Sequence, residues 1–144
     1  MTNETIIEEL NTLLRGTYMG IHSLEHYIQK VDDDKLKKNF QSMQKEIKQN
    51  AQKLAERIQN LGGVPADSEG VTGSIHSFMH KMMFQNDQEE ILKDARKGMD
   101  RYGVEFSEEL VKSDLDPVSK RIAKEVIDTS RRHAEKLRQL LNSK

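Results

Sequence analysis

The chain has no cysteine, no tryptophan and only two prolines, and it has no apolar run approaching the ~20 residues that a membrane span requires. Without cysteine there is no disulfide framework, no thiolate nucleophile and no cysteine-ligated zinc or iron-sulfur centre. Charge of one sign is also missing. Lys and Arg number 23 against 24 Asp and Glu, and the net charge of -1 leaves no field to gather nucleic acid or an anionic membrane. The opening MTNETIIEEL carries acids where a secretory leader would carry lysines, so a cytoplasmic protein is expected. There is no glycine-rich phosphate loop, no Ser-His-Asp order suited to nucleophilic attack and no inward pair of carboxylates for acid and base work. Catalysis is therefore not expected.

What is present is helix-forming. A charged fraction of 33% beside 35% hydrophobic describes long amphipathic helices with solvated outer faces, and 144 residues make one domain over 1–144. From Thr5 to Val31 the apolar residues keep heptad spacing, with Ile7, Leu14, Ile21 and Ile28 in one row and Leu10, Leu24 and Val31 in the other. Thr17 is the polar exception, and Thr5 with Glu8 has the spacing of a capping box. Asp32-Asp33-Asp34 offers an N-cap to a second helix, whose stripe is Leu36, Phe40, Met43, Ile47, Leu54, Ile58 and Leu61. The short turn makes the two helices antiparallel neighbours.

Gly62-Gly63 ends the second helix, with the first glycine suited to a left-handed cap, and Pro65 forbids continuation. VPADSEGVTG reads as loop, and residues 74–84, SIHSFMHKMMF, as a short soft helix of Met79, Met82, Met83, Phe78 and Phe84. A third long helix starts near Asp87 with Ile91, Leu92, Ala95, Met99, Tyr102, Phe106 and Leu110 inward. The link over 62–86 is too long for a hairpin and fits a crossover running back along the bundle, so helices two and three should be parallel. In KSDLDP, Asp116 caps and Pro117 opens the fourth helix, lined by Val118, Ile122, Val126, Leu137 and Leu140. The fold class is all-α: an antiparallel four-helix bundle with a crossover containing a short helix between helices two and three.

The halves also echo each other. NAQKLAERI at 50–58 aligns with HAEKLRQLL at 133–141, and MGIHSLEHY at 19–27 with KGMDRYGVE at 97–105, which pairs Asn50 with His133 and Ile21 with Met99. Two helical hairpins joined by one crossover, with these motifs and LGGVPADSEGVTGSIH between them, resemble the ferritin-like superfamily. Within it the chain is similar to a family of small bacterial four-helix-bundle proteins known as a domain of unknown function.

For metal-binding members, that resemblance implies a carboxylate dimetal centre, with a Glu from each odd helix and a Glu-x-x-His from each even one. Carried across, the six ligand positions fall on Ile21, Ile47, Asn50, Met99, Ser130 and His133, of which His133 alone matches. Hydrocarbon and a thioether stand where a hard cation needs oxygen, so a degenerate di-iron site is expected. His133 then reads as a core histidine sharing a polar layer with Asn50 and Ser130, and no cofactor is expected. A register shifted by one turn, bringing Glu25 and Glu46 to the centre beside His133 as in a di-iron oxidase or peroxidase, is the alternative.

Two histidine pairs keep a metal ion in view. His22 with His26, and His76 with His80, have the i,i+4 spacing that chelates zinc, nickel or copper, and Glu25 lies near enough to add an oxygen, although such pairs also arise by chance on solvated faces. Gly16, Gly20, Gly98 and Gly103 stand inside helices, where close approach of a neighbour would offset their unfavourable propensity. The function expected is that of a structural, stress-related or interaction protein, self-associating as a dimer through its methionine-rich surface, with metal binding at the histidine pairs as its rival.

Overall fold

In the computed structural model, which describes residues 2–68, 87–111 and 115–143, the first heptad pattern becomes helix α1, Asn3–Lys30. It starts earlier than the Thr5 and Glu8 spacing predicts. The Thr2 hydroxyl accepts from the Thr5 backbone N–H at 3.2 Å, because the apolar stripe begins at buried Ile6 and the cap must lie before it. Leu13 is also buried, whereas Ile7 is only partly so.

Helix α2, Asp34–Asn60, is capped by Asp33, whose carboxylate accepts from the Leu36 N–H at 3.0 Å. Its end is a Schellman turn. The Gly62 N–H reaches the Gln59 carbonyl and the Gly63 N–H the Ile58 carbonyl, both at 2.9 Å, with Gly62 at φ 89° as the sequence predicts. The chain is then pinned back on α1: Asn11 donates to the Val64 carbonyl at 3.1 Å and accepts from the Ala66 N–H at 2.7 Å.

The third rod is not one regular helix. Helix α3, Gln88–Gly98, passes into a π-helical segment, Met99–Glu105, and then into α4, Phe106–Val111. Ile91, Leu92, Ala95 and Met99 are buried as predicted. The side chains of Tyr102, Phe106 and Leu110, and the whole of the expected helix over 74–84 with His76 and His80, lie outside the described residues.

Helix α5, Pro117–Asn142, has Asp116 as its cap, accepting from the Ser119 N–H at 3.2 Å. The expectation for Val118 is overturned: it is 38% exposed while its neighbour Ser119 is fully buried. Arg57 from the end of α2 explains the choice, donating through Nε to Ser119 Oγ at 3.0 Å and through Nη2 to Asp116 Oδ2 at 2.6 Å. A buried serine accepts from the Arg57 Nε–H, where valine would leave that N–H without this partner.

Contacts between the rods give their directions. Gln44 of α2 donates to the Ile21 carbonyl while Gly63 lies against Ile7, so α1 and α2 are antiparallel. Arg57 meets Asp116 while Glu46 meets His133, so α2 and α5 are antiparallel as well. Gly103 touches Ser130 while Glu89 and Lys93 share a surface groove with Leu141 and Asn142, which opposes the third rod to α5. Helix α2 and the third rod therefore point the same way, in a bundle about 40 Å tall at ~1.5 Å per residue. Leu10, Leu14, Leu24, Phe40, Leu54, Ile58, Ile91, Leu92 and Leu137 fill its interior, with the rings of Tyr27 and Phe40 5.7 Å apart.

Candidate functional site

Midway along the bundle, the heptad residues Ile21, Ile47 and Met99 are 9%, 7% and 8% exposed, so all three project into the interior. Asn50, Ser130 and His133 are buried at the same level. The ring of His133, however, is not satisfied by its two neighbours in the expected polar layer. Its Nε2 lies 3.2 Å from Oε1 of Glu46, and its Nδ1 is buried without a hydrogen-bond partner. Glu46 stands one residue before Ile47 and is more than one-third exposed, so its carboxylate bends inward over the rim of the layer. Its other oxygen accepts from Arg132 Nη2 at 2.9 Å.

The charges of this cluster follow from its surroundings. The hydrogen bond from Arg132 first, and then the contact with His133, hold Glu46 below the ordinary carboxylate value despite partial burial. Burial holds His133 below the ordinary histidine value, although the Glu46 carboxylate pulls the other way. A neutral ring facing an ionised carboxylate must donate through Nε2, which leaves the lone pair of Nδ1 bare.

Glu25 is exposed, and each of its oxygens has a side-chain partner. Gln29 donates to its Oε2 at 2.8 Å and Gln44 to its Oε1 at 3.1 Å, and these bonds, that of Gln29 first, lower its pKa. Of the predicted histidine pair on α1, His22 is exposed and His26 half-buried. Among the described residues, no three His, Asp or Glu side chains gather where a metal ion would sit.

Beside the hydrocarbon layer lies a feature the sequence reading missed, a cavity of about 50 Å³ between α1, the π-helical segment and α5. Gly16, Gly20, Ser23 and Tyr27 line it from α1, spaced so that they share one helix face. Gly98, Met99 and Gly103 line it from the third rod, and Val126, Thr129 and Ser130 from α5. A Cβ on Gly103 would stand 2.7 Å from Ser130 Oγ, so glycine there lets the third rod close on α5. Nothing lies within 4 Å of a Cβ added to Gly16, where the missing side chain leaves open space. Two hydroxyls at this wall, Ser23 Oγ and Tyr27 OH, are buried without partners. Burial, and then the charge of Asp94, raise the Tyr27 pKa well above the phenolic value, so the group is a neutral O–H. The recurrence of small residues at 16, 20 and 23 was the available sign.

Among the described residues, an all-helical bundle of two antiparallel pairs defines a ferritin-like four-helix-bundle fold. Solved structures share that fold. A two-domain protein from Anabaena variabilis, containing DJ-1/ThiJ/PfpI-like and ferritin-like domains, superposes with a TM-score of 0.81 at 21% identity, over 99% of this chain and 37% of that one. The present chain thus spans little more than a third of that protein. The bacterioferritin-related protein of Bacteroides fragilis, described as a dodecameric thioferritin, superposes at 0.80 with 17% identity, over 99% of this chain and 88% of that one. Comparison with curated proteins finds no match. Residues 5–113 match the family described as Domain of unknown function (DUF2383), and the chain belongs to it.

The dimetal centre implied by the ferritin-like resemblance does not fit the residues present. Two buried isoleucines and a buried thioether cannot supply hard oxygen donors, and Asn50 and Ser130 are neutral. The two nearby carboxylates already receive Gln29 and Gln44, or Arg132 and His133.

Proposed function

We propose that this chain is a non-catalytic ferritin-like bundle lacking a complete dimetal site, serving as a structural, stress-related or interaction protein in the cytoplasm. The observation that carries the reading is the burial of Ile21, Ile47 and Met99 at three positions where the resemblance implies carboxylates. A hard cation at that level would have to displace packed hydrocarbon and gain too few oxygens in return. Among the described residues no helix is long and apolar enough to cross a membrane, in keeping with action away from the bilayer. The dodecamer named for the Bacteroides fragilis protein supports self-association, for which a dimer is our expectation. Protein produced with iron available and purified without chelators should hold no stoichiometric iron by elemental analysis. Two metal ions per chain would overturn the reading.

One contact favours a second reading. Glu46 does reach His133, as a metal site shifted by one turn would require, with Glu25 as a further donor. That site would have to strip Arg132 from Glu46 and both glutamines from Glu25. Its minimum signature is oxidation of ferrous iron by peroxide that is lost in Glu46→Gln.

A further inference from the structure

We propose that the outer face shared by α2 and α5 is a docking surface for the phosphate backbone of duplex DNA. The whole-chain charge of -1 conceals an uneven distribution over the rods. Helix α2 holds seven Lys and Arg against three Asp and Glu, and α5 has the same numbers. In the other two rods the balance reverses, with four acids against two bases in α1 and seven against four over 88–111. A positive field is therefore directed from one side of the bundle, where the two basic helices adjoin.

Pairing within the face leaves the surplus cations free. Glu46 meets Arg132, Lys53 meets Glu125 and Arg57 meets Asp116, a ladder that joins the two helices over three turns. Asp128 and Glu135 lie against Arg131 and Arg138 of their own helix. Asp34, in the first turn of α2, and Glu56, which accepts from Gln52, are the remaining acids of the two helices. The exposed Lys35, Lys38 and Lys45 of α2, and Arg121, Lys124 and Lys136 of α5, have no carboxylate partner among the described residues. Because the helices run antiparallel, Lys136, one turn past Arg132, comes level with Ser42, between Lys38 and Lys45. Arg121 to Lys136 spans about 22 Å at ~1.5 Å per residue, the axial length of roughly six base pairs.

The class of partner follows from what the face lacks. Phe40 is the one aromatic residue of the two helices and is fully buried, so no ring is offered for stacking single-stranded bases. Val118, near one end, is their one exposed large hydrophobic residue, too little to anchor a protein partner or to insert in a membrane. Flexible ammonium groups without aromatic or apolar neighbours suit a duplex backbone, bound without regard to sequence. This names a partner for the interaction-protein reading, and iron content does not bear on it.

The test uses the full chain and two fluorescent DNA duplexes of unrelated sequence and about two helical turns, followed by anisotropy as salt rises. The duplexes should bind equally, and affinity should fall about 100-fold between roughly 50 and 200 mM salt, as for some four phosphate contacts. Lys38→Gln and Lys136→Gln should each weaken binding about 10-fold at the low-salt end and reduce the salt slope by about one. Both variants should melt with the parent, because neither ammonium group has an ion-pair partner among the described residues. Arg15→Gln, at an exposed position of α1, should leave affinity and slope unchanged. No binding at low salt, affinity unchanged in both lysine variants, or an equal loss in Arg15→Gln would overturn the proposal. So would tighter binding of single-stranded DNA, phosphatidylglycerol vesicles or poly-glutamate than of the duplex at equal concentration of negative charge.

Discussion

His133 Nε2 lies 3.2 Å from Glu46 Oε1, joining α5 to α2 across the bundle, while the other ring nitrogen is buried without a partner. That asymmetry makes the layer sensitive to acid. Burial lowers the folded pKa of His133 below 6.5, so the unfolded chain binds a proton first as pH falls. The sign follows from linkage: the contribution of His133 is fully present above about pH 6.5 and declines below it, down to the lowered folded value. Melting temperature should fall between about pH 7 and pH 5, before the carboxylates titrate. In His133→Gln that segment of the profile should flatten, whatever the overall stability of the variant.

Glu46→Gln tests the other half of the pair. Loss of the carboxylate removes the one influence that raises the His133 pKa, so its titration, followed by ring nitrogen shifts, should move further below the parent value. A move upward would show that the Glu46 carboxylate does not face the ring, since burial and Arg132 both lower its pKa.

Two glycines should respond oppositely to alanine. Gly103→Ala drives a methyl against Ser130, at 2.7 Å from Oγ and 2.8 Å from Cβ, and should destabilise by about 1–3 kcal/mol. Ser130→Gly in the same chain should return much of that loss. Gly16→Ala meets nothing within 4 Å and should stabilise by up to ~1 kcal/mol. Urea midpoints of the four chains measure both effects.

Asp116 serves two partners, the Ser119 N–H and Arg57 Nη2. Burial raises its pKa, but the bonds from Ser119 and Arg57 outweigh that and leave it low. Asp116→Ala should destabilise by about 1–2 kcal/mol through the lost cap alone. Asp116→Asn keeps a capping oxygen and should cost less, and equal losses in the two variants would assign the effect to the ion pair.

Ile21→Glu with Met99→Glu places two carboxylates in the hydrocarbon layer and should lower stability by several kcal/mol, of the order expected for buried uncompensated charge. An unchanged denaturant midpoint would show that these side chains reach water.

Much of the fold was legible because helices write their period into the chain. The stripe from Leu36 to Ile58 is buried residue for residue, and Asp33, Gly62 and Asp116 act at the helix ends where their chemistry predicts. Elsewhere neighbours overrode the pattern. Val118 fits the apolar row of α5, yet Arg57, distant in sequence, selects Ser119 for the interior.

The site divides along the same line. Spacing alone determined that Ile21, Ile47 and Met99 face inward, since a 3.6-residue period fixes which face each residue joins. Only the tertiary structure decided that His133 turns to Glu46, that the third rod loosens into a π-helical turn, and that Ser23 and Tyr27 are left lining a cavity. Those outcomes depend on how closely separate helices approach, and a side chain 87 residues away in sequence leaves no periodic mark on its partner's helix.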